Sequence, residues 1–444
     1  MSTATVKLWG EYVGAVTWIK ERGYAAFEYD PSFLVKGIDL SPVHLSLADG
    51  NAGSIFSFPN LDRETFKGLP GLLANSLPDD FGNKVIDSWL AKQGRQIGSF
   101  NPVERLCYIG TRGMGALDFV PSNAPKNLNS SVPVEVQKLL ALAQGVLAER
   151  IRLDVQLDVA DQDKAEAMLD ILRVGVSAGG AVPKAVIAIN DEGRILSGQA
   201  EVPEGYEHWI IKFDGISPDA PEGFSKPTDS CRVEYAYYQM AKEAGIDMTE
   251  CRLLKENGRA HFLTKRFDRH HNEKIHALTL ASIGHFGWNP PGAVGYESAF
   301  QVMRTLRLPY TQQEQQFRRM VFNAIARNTD DHVKNISYLM DRTGQWQLSP
   351  AYDMTFSYNP EDGLGTLHKM TINNRQNDLS FDDFIAVAYN MEIKKAEEIV
   401  KEILGVVARW PEFASKAQVS PDVQKYIGAL HLSESSLDQG ASLR

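Results

Sequence analysis

The chain has 444 residues, with 46 lysines and arginines against 56 aspartates and glutamates, a formal charge of −10, and 43% hydrophobic content. That length fits two or three folding units, each able to bury its own core, and the apolar share excludes a chain disordered throughout. The acidic balance argues against a protein that coats nucleic acid non-specifically, so any DNA contact must be local. Cys107, Cys231 and Cys251 are odd in number, widely spaced and without a C-x-x-C pair, which fits neither a disulfide framework nor a zinc knuckle. No basic segment followed by an apolar one opens the sequence, and no apolar run is long enough to cross a bilayer. The chain therefore reads as cytoplasmic, with no membrane partner.

In chain order, short alternating segments at 6–9 and 24–29, separated by Gly, Asp and Pro, predict strands. Residues 81–93 predict a helix and 116–120 another strand, which together make a small α+β unit. Residues 121–133 are rich in Pro, Ser and Asn without hydrophobic period and read as a linker. Beyond it, Val136, Leu139, Leu140, Ala143, Leu147 and Ile151 recur at helical spacing over 134–152. Strands are expected at 185–189 and 208–213, a helix at 233–244, and a strand at 262–268. The remainder is mainly helical, at 297–306, 312–328, 381–389 and 394–407, and the polar tail 433–444 is expected to fray. A strand-rich portion followed by a helical one predicts two lobes with a cleft between them.

The strongest local signal is Asn328-Thr-Asp-Asp-His-Val-Lys-Asn335, followed by an apolar run and then Leu348-Ser-Pro-Ala-Tyr-Asp353. Asp330 and Asn335 have the D-x-x-x-x-N spacing by which a protein-kinase catalytic loop sets a base and a metal ligand on one turn. Asp353 comes one hairpin later, where a kinase keeps its second magnesium ligand. A phosphoryl donor bound with Mg²⁺ needs hard oxygen ligands, and the attacking hydroxyl needs a carboxylate in reach. The competing reading is a polar turn that caps the preceding helix. Asp331 reads as a neighbour of the base, although spacing alone leaves it open, and His332 as a structural histidine without a partner at zinc spacing.

Two further segments bear on phosphate. Val176-Ser-Ala-Gly-Gly-Ala-Val-Pro-Lys184 lets backbone amides approach phosphate oxygens and ends in a positive charge, but it is not a Walker A loop. Lys212 lies inside the apolar run Trp209-Ile-Ile-Lys-Phe, where an ammonium is costly unless it meets an anion or the strand is an edge. Glu234 opens the next helix, in the order of a kinase lysine and its helical glutamate. The basic groups Lys265-Arg266, Arg269-His-His271 and Arg318-Arg319 read as solvated charge, or else as a face for phosphoprotein, RNA or DNA. Gly110-Thr-Arg-Gly-Met-Gly115 lacks the full dinucleotide fingerprint and reads as a structural turn.

Together these motifs, with Ser76-Leu-Pro-Asp-Asp-Phe-Gly82 and Tyr108-Ile-Gly-Thr-Arg-Gly-Met-Gly-Ala-Leu117, resemble the HipA family, the serine/threonine kinase toxins of bacterial toxin–antitoxin pairs. The resemblance implies an α+β, protein-kinase-like two-lobed fold related to phosphoinositide kinases. It would have an N-terminal module at 1–125, a strand-rich nucleotide-binding lobe at 126–268 and a helical catalytic lobe at 269–444. It implies ATP and Mg²⁺ as cofactors, Asp330 as catalytic base, and Asn335 and Asp353 as metal ligands. Lys212 would hold the ATP phosphates, and the backbone of Lys265, Arg266 and Phe267 would meet the adenine. Gly179, Gly180, Ala181, Val182, Pro183 and Lys184 would cover the nucleotide, with His332, Lys334 and Tyr352 also in the ATP site. Ser177 occupies the position of the family's silencing autophosphorylation, where added negative charge would repel ATP.

By the same resemblance, the partners would be a dimeric HipB-like helix-turn-helix antitoxin forming a heterotetramer, operator DNA held through it, and glutamyl-tRNA synthetase as protein substrate. Val182-Pro183 before the lysine and His276-Ala-Leu-Thr-Leu280 depart from the best-known member. Two rival readings are a DNA-bound co-repressor and a small-molecule or lipid kinase on the same scaffold.

Overall fold

The computed structural model describes residues 2–49, 53–78, 82–83, 86–87, 90–91, 94–96, 98–141, 143, 184–215 and 228–442. Ser177 and five members of the expected nucleotide-covering loop, Gly179, Gly180, Ala181, Val182 and Pro183, lie outside the described residues. The chain divides into two compact units. The first comprises Met1–Asp39, Leu45–Thr228 and Leu254–Ala277; the second comprises Leu40–His44, Asp229–Leu253 and Leu278–Arg444.

The first unit holds one five-stranded sheet and all of a second but the start of its edge strand, Cys251–Leu253. In one, β1 (Ser2–Leu8), β2 (Glu11–Ile19), β3 (Tyr24–Tyr29), β4 (Ile55–Phe56) and β5 (Leu117–Val120) take the order β4-β3-β2-β1-β5. Alternation sets the buried face: Ala4, Val6 and Leu8 point inward from β1. The helix Pro102–Ile109 starts on a capping box, in which the Asn101 side chain accepts from the Glu104 N–H at 3.1 Å and Glu104 accepts from the Asn101 N–H at 2.9 Å.

The other sheet contains β6 (Lys184–Asn190), β7 (Ile195–Ser197), β8 (Tyr206–Lys212), β9 (Cys251–Glu256) and β10 (Arg259–Lys265) in the order β7-β6-β8-β10-β9. One core cluster joins Ile187, Trp209, Ile211 and Leu263 of this sheet to Val136, Leu139 and Ala143 of the predicted helix after the linker, and to Tyr108. Burying each such large side chain is worth about 1.5–3 kcal/mol, so this cluster is a principal source of the unit's stability. A short hairpin of β11 (Arg269–His270) and β12 (Glu273–Lys274) follows.

The second unit is mainly helical, as its 3.6-residue periodicity predicts. Its central helix, Tyr310–Ile325, buries Phe317, Met320, Val321, Ala324 and Ile325 completely. Around it in sequence lie Ser230–Glu243, Tyr296–Thr305, Phe381–Met391, Ala396–Val407, Trp410–Lys416 and Pro421–Leu430. A small sheet contains β13 (His276–Thr279), β14 (Ser337–Met340) and β15 (Trp346–Leu348) in that order. Among the described residues no helix is long and apolar enough to cross a membrane, and the three cysteines are buried and unbridged.

Two expectations need correction. The tail does not fray where it is described: Glu434–Ser442 is a helix, with Leu437 only 1% exposed and the Leu432 N–H donating to Ile325 O at 2.9 Å. One buried leucine and one backbone bond anchor a segment whose polarity pointed outward. The basic clusters are only partly solvated: His270 and His271 are exposed, while the Arg266 and Arg269 side chains are buried around Asp268. Arg319 is buried too, donating to Ser349 O at 2.7 Å, and Arg318 pairs with Glu402 at 2.8 Å.

Candidate active site

The helix Tyr310–Ile325 ends where Arg327 turns left-handed, at φ 58°. Its guanidinium lies over the Tyr358 ring at 4.5 Å and its Nε donates to Leu430 O at 3.0 Å. The chain then enters the loop 328–336 and leaves it as β14, so a helix and a strand fix both ends of the predicted catalytic loop. Inside, Asn335 donates from Nδ2 to Asp330 O at 3.0 Å, and its own N–H goes to His332 O at 2.8 Å. The D-x-x-x-x-N spacing thus closes a compact turn that brings the two residues together.

Asp330 and Asp331 point to opposite fates. The Asp330 side chain opens to solvent, while its N–H is held by Ser357 Oγ at 2.9 Å. Desolvation by the surrounding protein, reinforced by the Asp353 and Asp331 carboxylates, raises its pKa above the usual aspartate value, against the pull of His332 and Lys369. A carboxylate whose proton affinity is raised is a better base for a hydroxyl. Asp331 is buried and fully engaged, accepting from the Tyr296 hydroxyl, His368 Nδ1 and the Lys369 N–H, each at 2.8 Å. Of the two adjacent acids, Asp330 is the one exposed to solvent.

Asp353 follows β15 on a segment held from both sides. The Ala351 N–H donates to Asp247 O at 2.8 Å, the Thr249 N–H donates to Ala351 O at 3.2 Å, and Arg319 holds Ser349 O. Tyr352 donates its buried hydroxyl to Lys334 O at 2.7 Å and accepts from Ser337 Oγ at 2.6 Å, which ties the acid's neighbour to the catalytic loop. Asp353 itself is left-handed, at φ 55°. Lys334 places its ammonium 5.4 Å from the Trp288 ring centre, and His332 meets the same ring edge-on at 6.3 Å. His332 Nδ1 is buried without a hydrogen-bond partner among the described residues.

Asn335 commits its amide nitrogen to Asp330 O and keeps its amide oxygen, a hard donor of the kind magnesium takes, as the Asp353 carboxylate also is. Among the described residues there is no cluster of three or more His, Cys, Asp and Glu able to hold a metal. Two oxygen ligands are what a magnesium bound mainly by water and phosphate requires.

In the first unit, β6 and β8 set Lys184 directly opposite Lys212. Lys184 is only 7% exposed. Lys212 lies on the middle strand, which removes the edge-strand reading, with its ammonium 5.8 Å from the Phe262 ring centre. Lys265 forms an ion pair with Glu207. Arg266 spends its backbone N–H on His208 O at 2.9 Å and its guanidinium on Asp268, at 2.9 and 2.7 Å. Phe267 continues the same turn and is half-buried.

The Gly110–Gly115 motif is a structural turn here. Gly115, at φ 73°, donates its N–H to Asp268 at 2.7 Å, while Arg269 holds the Gly113 and Gly115 carbonyls at 2.8 and 2.9 Å. In the second unit, Glu234 is buried on the helix Ser230–Glu243. Sequence reasoning missed Tyr296, Asn323, Ser357 and His368, which lie 7 to 38 residues from Asp330 and share no local spacing with it; the second acid at 331 was the only signal.

Two family descriptions match the chain: HipA N-terminal domain over residues 4–120 and HipA-like C-terminal domain over residues 176–410. A Haemophilus influenzae protein named "Putative kinase" is 24% identical over 264 residues, which cover 52% of this chain and 72% of that protein. Among solved structures, the HipA of the Shewanella oneidensis MR-1 toxin–antitoxin system, in complex with HipB and operator DNA, matches with a TM-score of 0.65 at 16% identity, over 99% of this chain and 97% of that one. The Helicobacter pylori proinflammatory kinase CtkA matches more remotely, with a TM-score of 0.32 at 12% identity over 53% of this chain and 87% of its own. The Shewanella likeness shows a shared kinase-like fold with an N-terminal module. With the C-terminal description spanning more than half of its length, the chain belongs to the HipA family.

Proposed function

We propose that this chain is an ATP- and Mg²⁺-dependent serine/threonine protein kinase and the toxin of a toxin–antitoxin pair. The observation that carries the reading is the arrangement around Asp330: an open carboxylate with raised proton affinity, on a turn closed by Asn335, beside Asp353. Asp330 takes the proton of a serine hydroxyl as its oxygen bonds to the γ-phosphorus, and the bond from that phosphorus to the bridging oxygen of ADP breaks. Asn335 and Asp353 would hold Mg²⁺, which screens phosphate charge when bound. Lys212 and Lys184 would hold phosphate oxygens, and the backbone from Lys265 to Phe267 would receive the adenine.

The loop Gly179 to Lys184 would cover the nucleotide, and phosphorylation of Ser177 ahead of it would place negative charge where ATP phosphates bind, silencing the enzyme. Extending the Shewanella assembly to this chain gives a HipB-like antitoxin and, through it, operator DNA as partners in a cytoplasmic complex. Glutamyl-tRNA synthetase is the substrate to try first. Incubation with Mg²⁺ and ATP, followed by peptide mass spectrometry, is expected to find phosphoserine at Ser177 in the parent and none in Asp330→Gln. Equal phosphorylation in that variant would remove Asp330 from the mechanism.

A further inference from the structure

The hydrogen bonds around the catalytic loop form a circuit that starts at Asp330 and ends at its neighbour. The Asp330 N–H donates to Ser357 Oγ at 2.9 Å, and the Ser357 hydroxyl donates to Asn328 Oδ1 at 3.2 Å. Asn328 Nδ2 donates to Asn323 Oδ1 at 3.0 Å, Asn323 Nδ2 to the Tyr296 hydroxyl at 2.9 Å, and that hydroxyl to Asp331 Oδ2 at 2.8 Å. From the other side, His368 Nδ1 meets Asp331 Oδ2 and the Lys369 N–H meets Oδ1, both at 2.8 Å. The Lys369 N–H also reaches Thr329 O at 3.1 Å. Ser357, His368 and Lys369 all come after Asp353 in the chain, so the circuit draws the segment that follows the expected metal ligand back onto the loop that carries the expected base.

The arrangement is buried where it matters. Asp331 and His368 have side chains 0% and 1% exposed, and Tyr296 and Asn328 are 1% and 2% exposed. A buried carboxylate with both oxygens engaged holds its partners in one geometry, because leaving any of them unpaired is costly. Lys369, whose backbone the circuit fixes, contributes positive charge to the surroundings of Asp330.

We propose that Asp331 is the positioning residue of the phosphoryl-transfer site. Acting through Tyr296, His368 and the Lys369 backbone, it latches the segment 366–371 to the catalytic loop, so that Asp330 and Lys369 face the transferred phosphoryl group together. The proposal rests on the kinase reading above, but the latch itself does not. Asp331 does not exchange a proton with substrate; its effect falls on the orientation of Asp330, and therefore on turnover rather than on nucleotide binding.

The test uses the full chain and three variants. His368→Leu removes the Nδ1 donor, His368→Asn puts an amide nitrogen back at that position, and Tyr296→Phe removes one hydroxyl. His368→Leu and Tyr296→Phe are expected to lower kcat about tenfold or more with the KM for ATP changed less than about twofold, and His368→Asn to restore most of the rate. A readout independent of activity is limited trypsin digestion, in which His368→Leu is expected to be cut after Lys369 several times faster than the parent, with His368→Asn protected. If the parent transfers no phosphoryl group, the kinase reading fails while digestion still tests the latch. Parent-like kcat in folded Tyr296→Phe, or unchanged cleavage after Lys369 in His368→Leu, would overturn the proposal. A KM that rises in step with the loss of kcat would overturn it as well.

Discussion

Replacing Asp268 by Asn tests whether the buried charges of the first unit depend on one carboxylate. Asp268 accepts from Arg266 Nε and Nη2 at 2.9 and 2.7 Å, from Arg269 Nη1 at 2.8 Å and from the Gly115 N–H at 2.7 Å. Burial opposes its charge, yet Arg266 and Arg269 outweigh burial and hold the carboxyl far below the usual aspartate range. The substitution leaves two guanidinium groups, with side chains 1% and 5% exposed, without their shared counter-ion, and Asp118, which also acts on Arg269, is already paired with Lys274. Breaking such a buried pair costs about 3–5 kcal/mol, which for a unit of this size lowers the melting temperature by roughly 10 °C.

Calorimetry or tryptophan fluorescence on heating reads the shift. Glu11→Gln, which breaks the open Lys36–Glu11 pair at 2.6 Å, serves as the control and should leave the melt unchanged. Because the folded pKa of Asp268 is depressed, its contribution is present above the unfolded value of about 3.9 and disappears as pH falls below it. An Asp268→Asn melt within about 2 °C of the parent would refute the reasoning.

One buried and two half-buried histidines predict acid sensitivity at milder pH. Burial pushes His285 and His431 down to about 3 and His208 to about 4, so they stay neutral when folded but bind protons near 6.5 when unfolded. Stability should therefore be complete above about pH 6.5 and fall below it, by up to about 1.4 kcal/mol per pH unit for each histidine; a urea midpoint that is flat from pH 7 to 5 would contradict this. Tyr352→Phe removes the hydroxyl shared by Lys334 O and Ser337 Oγ, at a cost of about 1–3 kcal/mol. It should lower kcat more than it changes the KM for ATP, and parent kinetics would show that the tie to the Asp353 segment is dispensable.

Much of the framework is legible in the sequence because its period is local. The strand Tyr24–Tyr29 alternates, the helix Tyr310–Ile325 repeats every three to four residues, and Asp330, Asn335 and Asp353 lie on a spacing that chemistry recognises. What stays hidden depends on distant partners. Arg266 and Arg269 look like surface charge until Asp268 and the Gly113–Gly115 turn surround them, and Tyr296 and His368 have no spacing relation to Asp331, 35 and 37 residues away. The helix Glu434–Ser442 is missed for the same reason, since a single buried Leu437 gives no period.

The central claim is that Asp330 acts as the base for phosphoryl transfer from ATP. Its most direct test is the initial rate of label transfer from γ-labelled ATP, with Mg²⁺, to serine in the parent and in Asp330→Asn, with nucleotide binding measured in parallel. The account predicts labelled parent protein, a rate lowered about 10²- to 10⁴-fold in Asp330→Asn, and ATP binding retained by both. No transfer by the parent, or equal transfer by the variant, would contradict it.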